Sequence, residues 1–326
     1  MPLRYARLPR HHAGSQTLNA HEPAMTPLWN AESLWEDLEP LLPGLSIEVV
    51  PDTVSTNTTL LDRARASARD AAGSNLALVR RSRESAAFGR RAADVLPCLL
   101  VAEHQTGGRG RMGRAWTSTR GASLTFSLSL PMDTADWSGL SLAVGVALAD
   151  ALDPEPRADG PGIGLKWPND LWLLGGHDLG RKLGGILIES VTVASHRLAV
   201  IGVGINVRAQ PAGTPGEWAH GHASLQELDA EASAPAALHR IARPLVQALI
   251  DFRHSGFAPF AHRFAARDLL RGRAVGTTLA DVPEGVAEGL DDGGALRVRA
   301  PDGTVHSVSS GEVSIRLREA PEGLSC

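Results

Sequence analysis

The sequence is poor in cysteine, tyrosine and methionine. Its 326 residues include 2 cysteines, 1 tyrosine and 4 methionines, and aromatic residues make up only 4%. Cys98 and Cys326 are too few for a disulfide framework, which indicates a reducing compartment. No apolar run reaches the roughly 18 residues of a membrane span, and no apolar signal segment opens the chain. We therefore expect a cytoplasmic protein that makes no membrane contact.

The charge balance also limits the classes of partner. The chain has 32 basic and 36 acidic residues and a net charge of −4, which argues against a protein that coats nucleic acid. Hydrophobic residues make up 43% and charged residues 21%, as in globular proteins with a real core. At roughly 150 residues per domain, the length predicts about two domains. No nucleic-acid partner is expected.

The pattern along the chain predicts an α+β protein with a small all-β module at its C-terminal end. Residues 1–44 are interpreted as a tail, within which Met25 is an alternative start, and a short helix capped by Asn30. Residues 45–271 form the expected main domain, 272–318 the β module and 319–326 a second tail. Strands are predicted at 45–50, 98–105, 122–130, 162–167, 182–191 and 198–207, and within 274–317. Helices are predicted from 55–64, at 141–152 and at 235–254, the last kinked by Pro244. Residues 80–97 are interpreted as a surface insertion and 208–222 as a long loop.

A glycine- and arginine-rich loop follows the strand at 98–105. Gly108, Gly110 and Gly113 form a formal G-x-G-x-x-G, but a dinucleotide-binding fingerprint requires a helix next, and the alternation of 122–130 is typical of a strand. The arginines Arg109, Arg111 and Arg114 give a better interpretation, because guanidinium groups on a flexible loop bind phosphate or carboxylate.

Two further segments contain polar residues beside apolar strands. Lysines and a carboxylate could point into one cleft from two segments, KWPND at 166–170 and RKLGGI at 181–186. In GVGIN at 202–206, two glycines within an apolar strand indicate close approach of a ligand or a neighbouring group. Each segment alone has an ordinary structural explanation, and it is the combination that suggests a site.

Taken together, these motifs resemble the biotin protein ligase family. The resemblance rests on STN at 55–57, EHQTGGRGRMGR at 103–114, Trp116, KWPND at 166–170, RKLGGILIE at 181–189 and GVGIN at 202–206, in this order. It implies a catalytic domain like those of class II aminoacyl-tRNA synthetases and lipoate ligases, a mixed sheet with helices on one side. It also implies that the C-terminal β module is a small SH3-like barrel.

The resemblance further implies a reaction in two steps. Biotin and MgATP give biotinyl-5′-AMP, and the biotinyl group then passes to one lysine of the biotin carboxyl carrier protein of acetyl-CoA carboxylase. ATP, biotin and Mg²⁺ brought by ATP are the expected small molecules, and no resident metal site is expected. Edge strands of the sheet leave a homodimer open.

Site roles follow by matching positions to the family motifs. Arg109 is expected to retain the reactive intermediate, Lys182 to contact the carboxylate and α-phosphate, and Trp116 to stack on adenine. The residues assigned to catalysis are Lys182, Arg109 and Arg111. Those assigned to biotin are Ser55, Thr56, Asn57, Gln105, Arg109, Gly110, Arg111 and Lys182. Those assigned to ATP are Arg111, Arg114, Trp116, Lys166, Asn169, Asp170 and Asn206.

Three alternatives stay open at this stage. A lipoate or octanoate ligase shares the implied fold. A ligase that also represses transcription would need a winged helix-turn-helix, for which the 44 residues before the catalytic domain show no pattern. A module that only binds biotin would have little use for several cations. Met112 stands where the family often has a basic residue, and His104, His220 and His222 are interpreted as surface or loop histidines.

Overall fold

The computed structural model describes residues 29–71, 86–88, 96–155, 162–175, 180–193, 195–209, 221–309 and 315–317. Several sequence predictions lie outside these residues. They are the tails at 1–24 and 319–326, the alternative start at Met25, most of the 80–97 insertion, most of the 208–222 loop, and His220.

An eight-stranded mixed sheet forms the body of the larger region, in the order β2-β1-β3-β6-β10-β9-β8-β7. Only β1 and β3 pair in parallel; the other neighbours in the sheet are antiparallel. The strands are β1 (Ser46–Thr53), β2 (Ala86–Phe88), β3 (Cys98–Gln105), β6 (Ser123–Pro131), β7 (Gly162–Lys166), β8 (Asp170–Leu174), β9 (Arg181–Val193) and β10 (His196–Asn206). A separate two-stranded hairpin, β4 (Gly108–Arg109) and β5 (Ala115–Trp116), is the glycine loop.

The alternation of the central strands gives the sheet two different faces. On β6, Leu124 and Phe126 belong to the main hydrophobic core, whereas Thr125 and Ser127 are buried on the opposite face. On β10 the apolar face is equally continuous, and Gly202 lies opposite Ser127 in the sheet register. The polar face of the central strands is therefore where a ligand site can be built.

Helices cover both faces, which corrects the expectation that they lie on one side. The helices α1 (Ala31–Leu38), α3 (Leu140–Leu152) and α4 (Ala234–Ser255) share the main core with the apolar face. Helix α2 (Thr56–Ala71) lies on the other face, where it packs Leu60 and Leu61 against Leu100 and Val200. Its N-terminal end therefore lies over the polar face. A short α5 (Ala261–Ala265) precedes the C-terminal sheet.

The C-terminal region forms a second, antiparallel sheet of five strands, in the order β14-β13-β12-β11-β15. Its strands are β11 (Ala274–Thr277), β12 (Glu284–Leu290), β13 (Leu296–Arg299), β14 (Val305–Val308) and β15 (Ile315–Leu317). The Trp167 indole N–H donates to the Gly294 carbonyl over 3.0 Å in a buried contact. The DDGG turn between β12 and β13 is thereby attached to the WPND turn between β7 and β8. The domain limits at 271 and 272 fall between α5 and β11 and stay predictions.

Three local predictions need correction or refinement. Ala86–Phe88 inside the 80–97 insertion pairs with β1 and extends the sheet, so this segment is more than a surface loop. Asn30 precedes α1 in a left-handed conformation, with φ of 46°, and its side chain makes no capping bond. Pro244 lies within α4, which runs as one helix from 234 to 255.

Within the described part of the chain, no helix combines the length and the apolar character needed to cross a membrane.

Candidate active site

A cleft of about 850 Å³, counted out to its open mouth, lies on the polar face of the large sheet. Most of the residues selected from the sequence line it, although they come from segments more than 100 positions apart. Asn206 is the exception: it is buried at the end of β10 and does not line the cleft. The selected residues that line it are Ser55, Thr56, Asn57, Gln105, Arg109, Gly110, Arg111, Arg114, Trp116, Lys166, Asn169, Asp170 and Lys182.

One end of the cleft is uncharged and rich in hydrogen-bonding groups. The backbone N–H of Thr56 donates to Gln105 Oε1 over 2.7 Å, and the Thr56 hydroxyl lies 3.2 Å from the same oxygen. The Ser127 hydroxyl lies 2.6 Å from both Thr56 Oγ1 and Asn57 Oδ1. All four side chains are at least nine-tenths buried. The start of α2 therefore presents a preorganised, neutral polar cluster.

The glycines of GVGIN make room for this cluster. A Cβ built on Gly202 would overlap the carboxamide of Asn57, with Cγ only 2.9 Å away, and a Cβ on Gly204 would lie 2.5 Å from the Trp116 ring. Both glycines are required because side chains of the site lie against them. Of the two explanations that the sequence suggested, a ligand or a neighbouring group, the second applies.

This packing yields a direct prediction. We expect Gly202→Ala to displace Asn57 and to weaken binding of biotin, the ligand expected from the sequence motifs, by roughly tenfold, about the effect of one lost hydrogen bond. Titration calorimetry with biotin measures the change. The control is Gly145→Ala in α3, where a new Cβ would have its nearest neighbour at 3.4 Å. Equal affinities for wild type and Gly202→Ala would contradict the described packing.

The other end of the cleft carries charge. Lys182 Nζ donates to Asp170 Oδ1 over 2.7 Å, and the two side chains are only 13% and 20% exposed. A register shift between β8 and β9 pairs Trp172 with Lys182 and Leu171 with Gly184, leaving Leu183 as the extra residue. Such bulges redirect side chains beside sites.

Two arginines of the glycine loop, Arg111 and Arg109, have different environments. Arg111 Nη1 donates to Asn169 Oδ1 over 3.2 Å, and Asn169 Nδ2 donates to the Ile186 carbonyl. Burial, with a smaller contribution from Arg114, lowers the pKa of Arg111 from its usual value, whereas Asp170 opposes the shift; a guanidinium stays charged in any case.

Arg109 lines the mouth of the cleft and is 43% exposed. It donates to the Glu189 carboxylate over 3.1 Å and to Thr58 Oγ1 over 3.2 Å. Of these two arginines, Arg111 is the one whose charge interacts with Asp170, although the family motifs assigned retention of the intermediate to Arg109.

Trp116 and Lys166 occupy the wall expected to receive the nucleotide. Trp116 lines the cleft, and its indole Nε1 is buried with no acceptor among the described residues. Lys166 Nζ lies 4.7 Å from the centre of the Trp172 ring, a cation–π contact. Ile315 from the C-terminal sheet completes the lining, so this sheet contributes directly to the cleft.

Among the residues in the cleft or directly behind it, sequence reasoning gave no role to Ser127, Glu189 and Ile315. Ser127 belongs to the alternating segment 122–130, whose polar positions could have been assigned to a ligand face. Glu189 closes the RKLGGILIE motif but received no role. Ile315 gave no signal, because only the docking of the two sheets brings it to the cleft.

The histidines form no metal cluster in the part of the chain described here, where no group of three or more His, Cys, Asp or Glu side chains could hold an ion. His104 lies 3.0 Å from Asp52 at the surface. His222 forms a β-bridge with Lys182. Burial and the nearby Lys182 charge lower the pKa of His222, which favours its neutral form near pH 7.

Comparison with known proteins explains this arrangement. Residues 96–206 match the family described as the biotin/lipoate A/B protein ligase family, and residues 271–316 match the biotin protein ligase C-terminal domain. The biotin–[acetyl-CoA-carboxylase] ligase of Mycobacterium tuberculosis is 32% identical over 280 residues, which cover 83% of this chain and 89% of that protein. The chain belongs to the biotin protein ligase family.

Two other relatives extend the comparison of the ligase family. The bifunctional ligase/repressor BirA of Escherichia coli is 33% identical over 226 residues, or 67% of this chain and 66% of that protein. The biotin protein ligase of Aquifex aeolicus, solved in complex with biotin and ATP, has a TM-score of 0.61 and 23% identity, and the match covers 83% of this chain and 99% of that chain. This structural likeness confirms the fold class expected of a biotin protein ligase.

Proposed function

We propose that the protein is an ATP-dependent ligase that activates biotin as biotinyl-5′-AMP and transfers it to a lysine of the biotin carboxyl carrier protein of acetyl-CoA carboxylase. The observation that carries the proposal is a single cleft with a neutral polar end and a cationic end. Such a cleft suits an acid that has a polar, uncharged head and a carboxylate that must meet a phosphate.

The neutral end suits the ureido ring of biotin. Gln105 Oε1 accepts hydrogen bonds from Thr56, so the Nε2 of Gln105 is left to donate to a ligand. This Nε2 lies at the base of the glycine loop, 3.1 Å from where a Cβ of Gly108 would stand. Asn57 presents Oδ1 as an acceptor beside Gly202. A cyclic urea has both a carbonyl acceptor and N–H donors and can pair with both amides. Ser55 lines the same end.

The cationic end suits the first chemical step. A biotin carboxylate oxygen attacks the α-phosphorus of ATP, an O–P bond forms, and the bond to the β-phosphate oxygen breaks to release pyrophosphate. Lys182 and Arg111 would stabilise charge at the carboxylate and α-phosphate. Fixed cations of this kind supply most of the rate in phosphoryl chemistry. Arg114, Trp116, Lys166 and Asn169 would contact the nucleotide. Gly110 lets the loop backbone approach the adenylate.

Mg²⁺ belongs to this proposal as a companion of ATP. Asp170 is the carboxylate that lines the cleft, and Asn169 adds an amide oxygen. One or two oxygen ligands fit an ion that keeps its water molecules and phosphate ligands, as Mg²⁺ commonly does with nucleotides. Asp170 would hold it, and the ion would offset phosphate charge.

In the second step, the lysine amine of the carrier attacks the carbonyl carbon of the mixed anhydride. A C–N bond forms, AMP leaves with the anhydride oxygen, and the amine loses a proton to give biotinyl-lysine. The proposed partner is the carrier protein, and the proposed compartment is the cytoplasm, in accordance with the low cysteine content. A homodimer through an edge strand stays a proposal for solution measurement.

Lipoate and octanoate are the competing substrates, because the matched family model includes lipoate ligases. Their dithiolane and alkyl ends offer no hydrogen-bond partners to Gln105 and Asn57. A site built to pair with polar groups rejects analogues that lack them by roughly 10⁴-fold or more. The neutral end of the cleft therefore favours biotin.

Exchange of labelled pyrophosphate into ATP, with each acid supplied separately, tests the proposal. We expect exchange with biotin and background exchange with lipoate, octanoate or no acid. Exchange with lipoate alone would support the lipoate alternative. A folded protein that binds biotin without exchange would instead be a binding module, and a gel shift with biotin and operator DNA would detect a repressor.

A further inference from the structure

The amide of Asn57 is held in one orientation by two acceptors. Its Nδ2 donates to the Leu187 carbonyl over 3.1 Å and to Glu189 Oε2 over 2.9 Å. Both amide hydrogens are thereby used, and neither acceptor could donate in return. Oδ1 must therefore point the other way, where the Ser127 hydroxyl lies 2.6 Å away.

Glu189 is itself placed just behind the cleft. It lies on β9, is 26% exposed, and does not line the cavity. Its second role is to accept from Arg109, which also bonds Thr58. The carboxylate thus joins the start of α2 to the mouth of the glycine loop, without any contact to the space a ligand would occupy.

We propose that Glu189 is a specificity-determining positioning residue: by accepting from Asn57 Nδ2, it makes Asn57 present an acceptor, which selects a ligand N–H donor. The inference rests on the proposed function, since the N–H in question is that of the biotin ureido ring. Glu189 acts through Asn57 and does not touch the substrate.

The orientation matters because a rotated amide would reverse the recognition. Ser127 can donate to an oxygen or accept from a nitrogen, so it does not fix Asn57 by itself. The Leu187 carbonyl alone is one acceptor for two amide hydrogens. Without the Glu189 oxygen, an Asn57 flip would turn N–H groups towards the ligand's own N–H and leave both without acceptors.

The experiment compares two replacements of Glu189 by titration calorimetry with biotin. Glu189→Met removes the acceptor at similar length, and we expect affinity to fall roughly tenfold, the size of one lost hydrogen bond. Glu189→Gln keeps an acceptor oxygen and should retain affinity within about threefold, although it loses its charge against Arg109. Equal losses in both variants would show that the ion pair matters instead, and would overturn the inference.

Asn57 provides the second readout. In an Asn57→Ala background, Glu189→Met should cause no additional loss, because the group it positions is absent. A loss that persists undiminished would overturn the inference. Wild type should bind biotin more tightly than biotin methylated on either ureido nitrogen. This difference in affinity should be smaller in Glu189→Met.

Exchanging the amide of Asn57 and the carboxylate of Glu189 provides a test that does not depend on the folding of a single variant. Asn57→Asp faces Glu189 with a second carboxylate and should lose binding, whereas adding Glu189→Gln restores a donor–acceptor pair and should recover part of it. Absence of recovery would contradict the inference. If wild type itself fails to bind biotin, the proposed function is wrong. If wild type and Glu189→Met both bind biotin normally, only the inference about Glu189 is wrong.

Discussion

Lys182→Ala is expected to lower the rate of biotin-dependent pyrophosphate exchange by roughly 10²-fold or more, the usual effect of removing one electrostatic donor from a reacting centre. Lys182 is the right group for this role because it is largely buried, it contacts Asp170 and it lines the cationic end of the cleft. The loss should lie mainly in kcat, since charge on the attacked phosphate develops in the transition state.

Arg181→Ala is the matched control. Arg181 is the neighbouring cation on β9, but it is 43% exposed, pairs with Glu227 and donates to the His222 carbonyl outside the cleft. Exchange by this variant should stay close to that of wild type. Wild-type exchange by Lys182→Ala would refute the catalytic assignment, whereas equal losses in both variants would point to a general effect of charge or folding.

The fold was predictable where the local pattern was strong. Strands at 98–105, 122–130 and 198–207 appear as β3, β6 and β10 with ends shifted by two residues at most. The helix at 141–152 appears as α3, and the turn signals of DDGG and PDG separate β12, β13 and β14. These elements combine clear periodicity with clear turn residues, so local and tertiary preferences agree.

Side-chain partners were less predictable, since they depend on register and docking. A motif predicts that Arg109, Arg111 and Lys182 are near a ligand, but it does not predict that Arg109 pairs with Glu189 and Arg111 with Asn169. Asn206 was selected as the polar end of a strand, and by the alternation of β10 it shares the face of Gly202 and Gly204, yet it is buried and does not line the cleft. How far the cleft extends along β10 depends on the packing of the glycine loop and the second sheet, which sequence alone leaves open.

The different environments of Arg109 and Arg111 give the second large prediction. Arg111→Ala should release biotinyl-5′-AMP roughly 10- to 10²-fold faster than wild type, since a hydrogen bond to a charged group contributes about 1.5–3 kcal/mol. The released anhydride would acylate lysines of bystander proteins. Labelling of added serum albumin, detected with streptavidin in the absence of the carrier, measures the escape.

Arg109→Ala is the comparison that tests the geometry against the family-based assignment. Arg109 is more exposed and bonds Glu189 and Thr58 at the mouth, so its removal should increase bystander labelling less than removal of Arg111 does. If Arg109→Ala gives the larger increase, the loop must rearrange on binding so that Arg109 exchanges Glu189 for the adenylate. Arg111 would then serve mainly to hold Asn169 and the WPND turn. The ratio of the two labelling rates therefore decides which arginine closes the site.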